Sequence, residues 1–496
     1  MRLLINFLLL LMIIAVINCK NVEEDYDAVN EEEAGVIPFT HFCKFEIPMV
    51  NHSTTDDEDF CDCDVVSSSV IGKPIVKINC EMSNHVTNLT NKVFQAQKLP
   101  INTVTLILSY QHFNEIPEFV GEHLKHLDMS NNLITIIKDE NFIHVTSLEH
   151  LDLSYNSISE IQSSAFQQLQ LLHYLDLSSN RIVQLPLNVF TPLSALETLK
   201  LSSNEELGKN IVRDVFNSSS ASIYQLFGIT TKLNSLVMTH CELTAVNLRE
   251  GADLKRINLS FNNITDFSMI ELPDNVVSLE LSGNPILHFT ATSLPSLLLL
   301  EELILEDLPF LKEVSDFSLY GFPKLHHLTF EGSRNLSLLK GSAFYEDSSN
   351  ENIDTQLKIF NLRGCSLKSL HISLEPIINQ LAEFHIDGNS FDCSCDMKWV
   401  KYIGIDTNLQ CHRPETLNGK LLREIPDKRL KCENFFLNKL INTMILLFLL
   451  MVCSLAIWFF LRRLNPTRRN KFQKVGPESP YQRVTIEPNR AEYSLY

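Results

Sequence analysis

Leu124-Lys-His-Leu-Asp-Met-Ser-Asn-Asn-Leu-Ile134 returns 24 residues later as Leu148-Glu-His-Leu-Asp-Leu-Ser-Tyr-Asn-Ser-Ile158. It returns again, at the same interval, as Leu172-His-Tyr-Leu-Asp-Leu-Ser-Ser-Asn-Arg-Ile182. Two further copies start at Leu254 and Val276 and reach Ile264 and Ile286. Self-similarity at a fixed period of this length means a solenoid, in which each unit buries its apolar face only against its neighbours. Within a unit, x-Leu-x-Leu-x alternates, so it reads as a short strand with leucines on one face and variable residues on the other. The closing Asn has both a donor and an acceptor, which suits it to satisfy the backbone of the turn and of the adjacent coil.

Counted outward, units start near Thr103, Leu124, Leu148, Leu172, Leu196, Leu233, Leu254, Val276, Leu300, Leu325, Leu357 and Leu381. This in-phase series resembles the leucine-rich repeat superfamily, which implies an α/β solenoid bent into a horseshoe with a concave sheet that captures another macromolecule. Two units are long, at Leu196 and Leu325. Their extra segments, around Asn217 and Tyr345, are polar and Ser/Asn-rich and are expected to be loops. Phe142, Phe166, Phe190 and Phe344 recur after the Asn and are expected to form a packed aromatic spine.

The flanks decide the compartment. Met1-Arg2 and the apolar run from Leu3 to Ile17 read as a secretory signal peptide over 1–19. Residues 20–42 are an acidic leader, 43–102 a cysteine-rich N-terminal cap, 103–388 the repeats and 389–434 a cysteine-rich C-terminal cap. The charge-free run from Leu440 to Leu461 would span roughly 33 Å as a helix, enough for one bilayer crossing. Arg462, Arg463, Arg468, Arg469, Lys471 and Lys474 follow it, which puts 462–496 in the cytoplasm and the N-terminal bulk outside. The expected topology is a type I single-pass protein of the plasma membrane. Lys20 to Lys439 carry 57 acidic against 32 basic residues. That excess disfavours nucleic acid and favours basic partners, although solvation alone accounts for it equally well.

Cysteines agree with export. Cys43, Cys61, Cys63 and Cys80 precede the repeats; Cys393, Cys395, Cys411 and Cys432 follow them. Spacing alone leaves three pairings open for each set. The second set, with Trp399 just after the Cys-x-Cys, resembles the C-terminal flank of extracellular leucine-rich repeat proteins, which implies Cys393–Cys411 and Cys395–Cys432. The first resembles the family's N-terminal flank, implying Cys43–Cys63 and Cys61–Cys80, but with an acidic insert that departs from the pattern. Zinc is disfavoured, because clustered cysteines oxidise in the secretory pathway. Cys241 and Cys365 fall at the Asn position and are expected to be buried thiols. Sequons occur at Asn51, Asn88, Asn217, Asn258, Asn263 and Asn335. Asn258 is at an outward strand position, where a glycan would obstruct the sheet and an unused sequon would not.

The outward positions of the regular units bring together His126, His150 and Tyr174, with Asp128, Asp152, Asp176 and Lys200 beside them. On an open, wet sheet these supply neither desolvation nor a fixed nucleophile–base pair, so no enzyme, cofactor or metal site is expected. They are instead candidate ligand contacts for a basic partner. In the tail, Tyr481-Gln-Arg-Val484 has the form of a tyrosine sorting signal or of a phosphotyrosine motif read by an adaptor or SH2-domain protein, with Tyr481 and Val484 in separate pockets; so short a pattern also arises by chance. The expected function is a cell-surface receptor or co-receptor for an extracellular protein ligand. The alternative is an adhesion molecule that pairs with a neighbouring cell-surface protein or with itself, with the oligomeric state left open.

Overall fold

The structure, a computed structural model of the full chain, describes residues 62–67, 74–79, 97–98, 103–217, 222–345, 355–405, 408–430 and 435–464. It divides into two units, 1–431 and 432–496.

The first unit is a solenoid built on one 14-stranded sheet. An antiparallel pair, Asp62–Ser67 and Pro74–Asn79, starts the sheet, and every later strand runs parallel to its predecessor. Twelve repeat strands follow from Thr103–Ile107 to Glu383–His385, joined by about eleven turns. Most are three residues long and lie two residues into a unit, as in His126–Asp128, His150–Asp152 and Tyr174–Asp176. Register is uniform: His126 faces His150 and Tyr174, while Leu127 faces Leu151 and Leu175. The inward leucines are wholly buried in a single core running the length of the repeats. On the return side, Phe142, Phe166 and Phe190 stack at 6.3 and 6.0 Å. Phe344 does not extend that column; it meets Phe360 edge-on at 5.9 Å.

The Asn positions form a ladder. The Asn180 amide donates to Leu153 O of the previous unit at 2.9 Å and to Leu177 O of its own at 3.0 Å. Its oxygen accepts from Ile158 N at 2.9 Å. Asn132, Asn156, Asn204, Asn262, Asn284 and Asn389 repeat this arrangement. Cys241 and Cys365 are free, buried thiols at the same position, and they donate to the equivalent carbonyls of Leu201 and Phe330 at 3.3 and 3.2 Å. Just ahead of each of these positions the chain turns off the sheet with a positive φ. In the first seven units the residues are Tyr110, Asn131, Tyr155, Ser179, Ser203, His240 and Phe261; in the last five they are Gly283, Asp307, Gly332, Gly364 and Gly388. For a bulky side chain this left-handed conformation costs about 1–3 kcal/mol.

The long unit at Leu196 corrects one expectation. Much of its extra length is helical: Glu205–Asn217 follows Asn204 directly, and Ile223–Phe227 comes after residues 218–221, which lie outside the described residues, and is capped by Ser222 and Gly228. Glu205 and Glu206 complement the positive end of the first helix, and Leu207 and Ile211, four apart, are buried. Gly208 lets that helix lie against the next unit, since a Cβ there would stand 2.0 Å from Cys241 O. The second insertion, at 346–354, lies outside the described residues.

At the far end, Met397, Trp399 and Val400 close the core. The Met397 sulfur accepts from Leu370 N, and Trp399 donates to Leu370 O. A disulfide joins Cys393 to Cys411, and Cys395 is also disulfide-bonded. Cys43, Cys61, Cys80 and Cys432 lie outside the described residues, and of Cys63 only the strand backbone is described. The second unit holds one helix, Phe435–Leu464, whose apolar stretch Lys439–Arg463 is 25 residues long. At its end the Arg462 guanidinium lies 4.7 Å over the Trp458 ring.

Candidate partner-binding face

Alternation in the strands turns the second and fourth residues after the leading Leu of each unit outward, and parallel pairing stacks them in columns. The first column holds a short ladder of rings. His126 and His150 lie 5.7 Å apart and tilted; His150 and Tyr174 lie 4.1 Å apart and nearly parallel, at 6°. Beside it stand Asp128, Asp152 and Asp176, followed by Lys200 in register with Asp176. The seven candidates therefore form one contiguous patch on four adjacent strands.

Each aspartate also has a structural task. Its Oδ1 accepts the N–H of the serine two residues on: Ser130 at 2.8 Å, Ser154 at 2.9 Å and Ser178 at 2.9 Å. This Asp-x-Ser turn ends the strand, and it explains the repeated phrase without any ligand. Beyond that task the three differ. Asp176 is buried; Tyr174 donates to its Oδ2 at 2.9 Å, and Lys200 stands 3.5 Å away while lying 5.0 Å over the Tyr174 ring. Among the described residues, no cation pairs with Asp128 or Asp152. Burial, with Asp176 and Asp128 on either side, pushes the Asp152 carboxyl up despite its hydrogen bonds to Ser154. Burial and the neighbouring His126 push the His150 imidazole down. Burial lifts the Tyr174 hydroxyl to about 12. The patch is thus aromatic, half-buried and short of positive charge.

The C-terminal columns are also acidic, and several of their carboxylates are hydrogen-bonded by side chains of neighbouring units, although the Glu280 carboxyl is pushed up by burial and by Glu302 and Glu306. Asn258 donates to Glu280 at 2.6 Å, Thr329 to Glu306 at 3.0 Å and Asn361 to Glu331 at 2.6 Å. Arg363 Nε reaches both oxygens of Asp387 at 3.0 and 2.9 Å. The sequon Asn258 is held at both ends, because its oxygen accepts from Ser260 N. Asn263 and Asn335 are exposed, and Asn217 ends the inserted helix. Asn51, Asn88, Tyr481 and Val484 lie outside the described residues.

Family models described as Leucine rich repeat match residues 101–158, 146–205 and 252–272. The matches support the leucine-rich repeat family. Human leucine-rich repeat-containing protein 70 is 29% identical over 79 residues, which are 15% of this chain and 13% of that protein. The Toll–Spatzle complex of Drosophila aligns over 69% of this chain and 56% of that one, at 18% identity and a TM-score of 0.42. The TLR13–ssRNA13 complex aligns over 69% and 62%, at 18% identity and 0.40. The chain therefore spans a small fraction of its curated relative and less than two thirds of either structure.

Among the described residues, no three His, Cys, Asp or Glu side chains are grouped to hold a metal ion. The seven candidates were visible in the repeat pattern. What the pattern could not show is which carboxylates already have a side-chain partner, because that depends on the reach of side chains in the neighbouring unit.

Proposed function

We propose that this chain is a type I cell-surface receptor or co-receptor that binds a basic protein ligand through the sheet face of the units starting at Leu124, Leu148, Leu172 and Leu196. The observation that carries the reading is the pair Asp128 and Asp152, half-buried beside the ring ladder and without a cation. A ligand that supplies Arg or Lys there would complete the charge pairing begun by Lys200 at Asp176. No sequon lies between Asn88 and Asn217, so this stretch is free of N-linked glycans by sequence. The apolar helix and the basic residues after it favour a membrane anchor with the repeats outside. A signal would then pass through Tyr481 and Val484 to an adaptor or SH2-domain protein, or through a co-receptor. The acidic excess of the ectodomain works against homophilic adhesion.

The test is a screen of secreted proteins against the full chain in lipid nanodiscs. The reading expects basic ligands whose affinity weakens with salt and falls about tenfold or more on the double substitution Asp128→Asn and Asp152→Asn. A ligand indifferent to both salt and that substitution contradicts it. Protease protection, on intact cells, of a tag inserted after residue 20 would overturn the topology.

A further inference from the structure

Two of the four large residues in the left-handed turn position have an internal reason to be there. His240 and Phe261 stack at 4.7 Å, and the Phe261 ring covers Gly283, where a Cβ would meet it at 2.4 Å. Tyr110 and Tyr155 have no such reason. Their φ angles are 58° and 52°, and they are 56% and 62% exposed. Neither side chain makes a hydrogen bond or ring contact among the described residues. Four later units meet the same backbone demand with glycine. An exposed aromatic kept in a strained conformation that glycine fills elsewhere in the same sheet points to use outside the fold.

We infer that Tyr110 and Tyr155 are anchor residues for the partner, on a turn edge that continues the sheet face. This rests on the receptor reading above. Leu133, two residues past the same turn in the intervening unit, is also exposed. Strand spacing sets the two tyrosines roughly 10 Å apart, one on each side of that unit. Tyr155 follows Asp152 by three residues, so the apolar edge and the unpaired carboxylates adjoin. The occupant they fit is a protein segment that presents Arg or Lys to the sheet and apolar side chains to the edge. Tyrosine is enriched among residues that dominate binding energy, because it buries much area with few rotatable bonds. A second copy of this chain is the poorer occupant, given 57 acidic against 32 basic residues from Lys20 to Lys439.

The experiment selects from a displayed random peptide library on the full chain in nanodiscs, then measures the selected peptides on variants. Enrichment of basic residues beside apolar ones is expected, with affinity falling about tenfold on Tyr155→Asn and on Tyr110→Asn. Asn tolerates the left-handed region, so the melting temperature of each variant should hold or rise, which separates lost contact from lost fold. Phe261→Asn is the converse control, with lower melting temperature and unchanged affinity. Peptides that lose affinity on Asp152→Asn but bind both tyrosine variants normally overturn this inference and leave the receptor reading standing. Peptides indifferent to all three substitutions overturn both. Failure to enrich any such sequence overturns the inference, as does self-association in sedimentation that Tyr155→Asn abolishes.

Discussion

The units from Leu124 to Asn204 and those from Val276 to Asn389 share one strand register and one inward set of leucines, yet they treat their polar groups in opposite ways. In the first region the ladder beneath the sheet is unbroken: Asn132, Asn156, Asn180 and Asn204 each bond the unit behind. In the second it is patched, with Leu308, Ser333 and Cys365 at the Asn position. Above the sheet the contrast reverses. The second region hydrogen-bonds Glu280, Glu306, Glu331 and Asp387 to side chains of neighbouring units, although Glu280 still faces Glu302 and Glu306. In the first, among the described residues, Asp128 and Asp152 accept only from Ser130 and Ser154 of their own units. A regular, rigid underside beneath an unfinished upper face is what a preorganised binding surface requires.

The largest expected effects test the underside. Phe166→Ala should cost about 3–5 kcal/mol in denaturant unfolding, because Phe166 is wholly buried between Phe142 and Phe190. Asn180→Ala should cost about 2 kcal/mol, since it orphans Ile158 N and leaves Leu153 O and Leu177 O only the Asn156 and Asn204 amides. Cys365→Ala, at the same position in the second region, should cost only about 1 kcal/mol, because a thiol is a weak donor. Equal costs would erase the distinction between a complete ladder and a patched one.

Smaller effects belong to the turns and the upper face. Gly364→Ala should cost about 1–2 kcal/mol from its φ of 67° alone, since the nearest atom to a Cβ there is 3.7 Å away. Asp152→Asn should stabilise the fold at pH 7 by about 0.2–1 kcal/mol, because it keeps an acceptor for Ser154 and removes one of three stacked like charges. A raised Asp152 pKa means its stabilising contribution is present below the ordinary aspartate range and is lost as pH rises through the folded value. A depressed His150 pKa has the opposite consequence. Its contribution is complete above about 6.5 and declines as pH falls toward the folded value. His150→Phe should therefore flatten the dependence of unfolding free energy between pH 7.5 and 5.5, as followed by denaturant titration.

The repeat made most of this fold legible. Strand placement, the inward leucines, the Asn role and the seven outward candidates all follow from period-2 alternation inside a fixed unit. The helix Glu205–Asn217 was hidden by the Ser/Asn-rich residues after it, although Glu205-Glu206 and the four-residue spacing of Leu207 and Ile211 were there to be read. The left-handed turn was hidden for another reason. Tyr110, Tyr155, His240 and Phe261 occupy it, and none of these types announces a positive φ; only the later glycines do. Which carboxylates lack a cation is a property of side-chain reach between units, and no single unit contains it.

On the face from Leu124 to Asn204, Asp128 and Asp152 await a cation from outside the fold. The most direct test is a paired charge reversal in the full chain, with affinity measured for one basic ligand. Asp128→Lys with Asp152→Lys should abolish binding, while Glu302→Lys with Glu306→Lys should change affinity by no more than about twofold once both proteins are shown to be folded. Loss of binding in the second pair with retention in the first would contradict the account.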